Sequence, residues 1–109
     1  MTAKRNGSNI QLVEDDHVVA VADLETTDDP TVMRASLHTE AGHRPVGAGA
    51  RLVDAVLDLD ETQRRHTLEV TIPLGEVEAL QRLRSRCPEV KTRPAGATCL
   101  VDAELRPRR

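Results

Sequence analysis

The chain has 109 residues, 39% of them hydrophobic and 30% charged, with a formal net charge of -3; that suits one globular domain and excludes a disordered chain. It holds no Phe, Tyr or Trp, so the core has to be built from Val, Leu, Ile and Ala, and the ring platforms that stack single-stranded nucleic acid are missing. The mild acidity argues against nonspecific DNA binding, and no apolar run approaches membrane-spanning length.

Residues 1–8 are polar and include Gly7 and Ser8, so a flexible N-terminal tail is expected, with the organised domain over residues 9–105. The stretch NIQLVEDD reads as a strand ending in an acidic turn at Glu14–Asp16. HVVAVADLET then places Val19, Val21 and Asp23 on one side of a second strand, giving a hairpin. After the turn ETTDDP, a third strand sets Val32, Arg34, Ser36 and His38 against Met33, Ala35, Leu37 and Thr39.

A loop containing Gly42, Gly47 and Gly49 leads into a helix whose apolar stripe is Val46, Leu52, Val53, Val56, Leu57 and Leu59, ending near Leu59 or Asp60. HTLEVTIPL alternates as a strand, and the next helix lines up Val77, Leu80 and Leu83, with Glu76, Glu78, Gln81, Arg82 and Arg84 elsewhere, before Pro88 stops it. EVKTRPAGATCLVDAEL closes the domain as one broken strand or as a hairpin about RPAG, and residues 106–109 form a basic tail. The order β-β-β-α-β-α-β defines an α+β (mixed α/β) domain: a mostly antiparallel sheet with two helices, in which the strand at 66–72 can run parallel to the third through a right-handed crossover.

Cys87 and Cys99 could form one disulfide, but MTAKRNGSN carries no signal-peptide pattern. A cytoplasmic location with free thiols is therefore expected. The four histidines and two cysteines have no zinc-ligand spacing, so no metal is expected. The basic runs RLRSR and RPRR read as solvated faces, not as a nucleic-acid site.

Chemistry concentrates at the glycine turn. The amides at a helix start and the positive end of its dipole favour an anion, and glycines let that anion approach the backbone. The turn could equally be no more than an entry into a well-packed helix. Its spacing, Arg44-Pro45-Val46-Gly47-Ala48-Gly49, is neither a Walker loop nor a Gly-x-Gly-x-x-Gly fingerprint.

This R-x-x-G-x-G turn, with the strand–loop–helix VMRASLHTEAGHRPVGAGARLVDAVLDL and the strand–helix HTLEVTIPLGEVEALQRLRSRC, resembles the GCN5-related N-acetyltransferases over most of residues 10–104. The chain is similar to small, truncated members lacking the opening strand and two helices. The resemblance implies acetyl-CoA (coenzyme A) as cofactor and transfer of an acyl group to an amine, whose identity it leaves open. It places the pyrophosphate on Arg44 and the amides of Val46, Gly47, Ala48, Gly49 and Ala50, and the pantetheine or thioester carbonyl along Leu37 to Thr39.

Two departures stand out. Pro45 removes one amide from the turn. The tyrosine that protonates the leaving thiolate in many family members is replaced near Leu83, and no other tyrosine exists. Cys87 or Cys99 could then be acid or nucleophile, or both could be small buried residues. His38 and Glu40, with His43 as a third, are the local candidates for a base. The second reading is a catalytically degenerate module of the same fold that binds a protein partner or a sister subunit through a sheet edge, and a homodimer is open on either reading.

Overall fold

The structure is a computed structural model that describes residues 1–39 and 45–106. Seven strands form one sheet: β1 (Thr2–Asn6), β2 (Asn9–Glu14), β3 (His17–Thr26), β4 (Val32–Thr39), β5 (Thr67–Pro73), β6 (Glu89–Ala95) and β7 (Thr98–Glu104). Three helices join them: α1 (Ala48–Leu57), α2 (Asp60–Gln63) and α3 (Val77–Arg86). The sheet order is β1-β2-β3-β4-β5-β7-β6, and only β4 and β5 run parallel. The expected α+β class and the parallel pair are both present, and the chain's end is a hairpin turning at Gly96.

Period-two alternation places Met33, Ala35 and Leu37 of β4 on the same side as Ala22 of β3 and Leu68 and Val70 of β5. Onto that side pack Leu52, Val53 and Val56 of α1 and Leu83 of α3, giving a core with no ring in it. Thr62 of α2 is buried, and its hydroxyl lies 3.4 Å from Met33 Sδ. Arg86 ties the last turn of α3 to α1 through Asp54 (3.1 Å) and Asp58 (2.8 Å). On the opposite side, Arg34 meets Glu69 at 3.1 Å and His38 meets Asp23 at 3.1 Å. The directions of these residues follow from the two-residue repeat of a strand.

Four expectations are corrected. Thr2–Asn6 form an edge strand where a loose tail was expected, because Gly7 takes a left-handed φ of 59° and folds the segment back on β2. Arg5 then reaches Glu61 of α2 with two hydrogen bonds. An opening strand is thus present, joined to β2 by the two residues Gly7–Ser8. The first helix ends at Leu57, since Leu59 is extended, and a separate short helix, α2, follows. Val46 and Val77 were expected in apolar stripes, but they are 94% and 56% exposed, and the buried stripe of α3 is Ala79 and Leu83, continued by Cys87.

Candidate functional site

β4 and β5 are paired from Val32↔Thr67 to Ser36↔Thr71 and no further. Beyond that point β4 continues beside β3, with Leu37 opposite Ala22, His38 opposite Val21 and Thr39 opposite Ala20. β5 continues beside β7, with Ile72 opposite Cys99 and Pro73 opposite Thr98. The two parallel strands therefore separate at their C-terminal ends, and among the described residues the edge of Leu37–Thr39 that faces β5 has no strand partner.

Both α1 and α3 begin at this opening, each following the C-terminal end of a parallel strand. Open α/β sheets commonly bind ligands at such a place. Gly47 caps α1 with a left-handed φ of 86° and no side-chain cap, and open space surrounds the position of a Cβ there. Ala48 N–H donates to the Pro45 carbonyl at 3.2 Å. Gly49 and Ala50 lie in the first turn, whose amides have no carbonyl one turn back within the helix. The local geometry thus suits an anion at Gly47–Ala50.

Two carboxylates sit at this helix head. Gly47 N–H donates to Glu78 Oε2 at 2.6 Å. Glu76 caps α3 by accepting from Ala79 N–H at 3.3 Å, is 4% exposed, and lies so close to Gly49 that an added Cβ would meet its Oε2 at 2.7 Å. Gly49 thus accommodates a carboxylate of the chain itself. Sequence reasoning assigned Glu76 and Glu78 to the polar side of a helix and missed them. The signal that could have found them is their place at the start of the second helix, which the parallel β4 and β5 set beside the first.

The other expected residues are spread out. Leu37 and Thr39 point to the helix side of β4, whereas His38 points to the opposite side, mostly exposed and paired with Asp23. Val46 is exposed at the turn, and Gly47, Ala48, Gly49 and Ala50 are brought together there. Glu40, His43 and Arg44 lie outside the described residues. Cys87 sits past the far end of α3, about 13 Å along the axis from Glu78 at the helix rise per residue. Its thiol is buried, and desolvation pushes its pKa up, against a smaller opposite pull from Arg86. Cys99 faces the helix side of β7 opposite Ile72, and both cysteines are free. Leu83, near the place of the family's tyrosine, is fully buried against Val53, Val56 and Leu37.

A sheet that opens between two parallel strands, with a glycine-capped helix at the opening, is a fold this chain shares with solved acetyltransferases, one of them described as of the GNAT family. A diaminobutyrate acetyltransferase of Paenibacillus lautus, in complex with L-2,4-diaminobutyric acid and coenzyme A, superposes with a TM-score of 0.69 at 10% identity, over 94% of this chain and 73% of that one. An acetyltransferase of the GNAT family from Streptococcus pneumoniae gives 0.60 at 8% identity, over 88% and 64%. N-acetylglutamate synthase of Neisseria gonorrhoeae, complexed with coenzyme A and N-acetyl-glutamate, gives 0.64 at 13% identity, over 92% and 26%. The sequence itself matches no family model and no curated protein. Among the described residues, no helix is long and apolar enough to cross a membrane.

Proposed function

We propose that this chain binds acetyl-CoA and transfers the acyl group to an amine. The observation that carries the reading is the end of β4–β5 pairing at Ser36 and Thr71, directly beside the glycine-capped head of α1. An extended thioester arm would lie between the strands, and a diphosphate would take the amides of Gly49 and Ala50, with that of Gly47 once Glu78 leaves it. Fold neighbours crystallised with coenzyme A support this assignment.

Acetyl-CoA supplies the activated acyl carbon. The unpaired edge of Leu37–Thr39 orients the thioester and offers backbone N–H groups to its carbonyl, so rate acceleration comes chiefly from positioning and from that polarisation. Of the base candidates, His38 is at the opening with its Nε2 held by Asp23, and it takes the proton of the arriving amine on the open side of the sheet. Neither Leu83, sealed in the core, nor Cys87, at the other end of α3, takes the place of the missing tyrosine as the acid. Proton return to the leaving sulfur falls to water.

A second reading, a noncatalytic partner-binding module, is favoured by the same buried Leu83. Calorimetric titration with acetyl-CoA and coenzyme A separates the two. Binding with a dissociation constant below about 1 mM, the upper end of ordinary enzyme KM values, and its loss in Gly47→Glu support the acetyltransferase. No heat and no change in melting temperature at that concentration favour the module.

A further inference from the structure

The helix head that would hold a diphosphate already holds the chain's own acids. We infer that Glu78 competes with phosphate for the Gly47 amide, and so sets how strongly the cleft takes thioesters that carry a diphosphate; this rests on the coenzyme A reading above. Three observations converge on it. The Glu78 carboxylate accepts from Gly47 N–H at 2.6 Å, a short contact with an ionisable acceptor. Gly47 is the cap of α1 and Glu78 lies in the first turn of α3, so one carboxylate sees the positive ends of two helix dipoles. Glu76, 4% exposed, adds a second carboxylate in the space that Gly49 leaves empty.

A diphosphate entering this head has to displace Glu78 from the amide and then remain beside two like charges. Both effects weaken coenzyme A and leave an uncharged arm untouched. Pantetheine, which has no phosphate, does not use the head of α1 and is indifferent to Glu78. The residue therefore discriminates between ligands that share the same reactive arm.

The test compares the full chain with Glu78→Ala, which vacates the amide, and Glu78→Gln, which keeps a carbonyl acceptor for Gly47 N–H but removes the charge. Each is titrated with coenzyme A, pantetheine and inorganic pyrophosphate, and melting is followed by calorimetry. Glu78→Ala is expected to bind coenzyme A about tenfold more tightly, as for loss of one competing charge-assisted contact. Glu78→Gln is expected in between, and pantetheine should bind all three alike. Pyrophosphate should raise the melting temperature of Glu78→Ala and not that of the parent.

Equal coenzyme A affinity in all three proteins overturns the competition and leaves the cofactor reading standing. A gain in pantetheine binding as large as that for coenzyme A also overturns it, since Glu78 would then be closing the cleft and not contesting the phosphate. No binding of coenzyme A or pyrophosphate by any of the three overturns both inferences together.

Discussion

Gly49 shows how one missing side chain organises the helix head. Its hydrogen leaves the space into which the Glu76 carboxylate packs, and a Cβ would come within 2.7 Å of Oε2. Gly49→Ala therefore has to push the Glu76 carboxylate off the Ala79 amide and is expected to lose about 1 kcal/mol, as for a lost helix cap, read as a lower urea midpoint. Cys87 gives a second test at this scale. Burial raises its pKa above the ordinary value of 9.0, so the folded protein holds the thiol proton more tightly than the unfolded chain. Its contribution is complete below that ordinary value and is lost as pH rises from there through the higher folded value. Between neutral and alkaline pH, Cys87→Ala should flatten the fall of the urea midpoint while lowering it overall through the lost packing. Gly47 was legible as a turn residue because a left-handed turn before a helix has few other solutions. The two glutamates were not, because their role depends on a neighbouring helix and not on their own periodicity.

At the scale of elements, legibility followed the strength of the repeat. β4 alternates cleanly from Val32 to Thr39 and is half-buried, so its extent and sidedness were readable. β1 is exposed at all five positions and has no apolar alternation, so nothing in Thr2–Asn6 announces a strand. It is held by backbone pairing to β2 and by the Arg5–Glu61 pair, whose bond raises the arginine pKa and lowers that of the glutamate. Arg5→Ala should speed amide exchange across Thr2–Asn6 and leave β3–β5 unchanged, since edge elements open locally. Because the Glu61 pKa is lowered on folding, this tie is present above the ordinary glutamate value of 4.5 and is lost as pH falls through the folded value. Faster exchange of β1 in the parent protein at acid pH is the matching observation. α2, with four residues, is too short for a helical repeat to register. Val46 and Val77 fit the helical spacing yet sit outside or at the very start of a helix, where side chains turn away from the core.

For the whole molecule, α1, α2 and α3 share one side of the sheet, and the other side carries polar pairs such as Arg34–Glu69 and Asp23–His38. The opening between β4 and β5 connects the two, so under the proposed function a ligand at the head of α1 and His38 on the open side would address it from opposite directions. This arrangement was only partly readable in advance: the strand–turn–helix order implied the cleft, whereas the side on which each residue lies needed the register.

The ring-free core also makes the protein nearly transparent in the near ultraviolet. An adenine nucleotide carried through purification would then be the dominant chromophore of the sample. An absorbance spectrum of the folded protein, compared with that of its acid-precipitated supernatant, reports the resident ligand directly, with no probe added and no protein background to subtract.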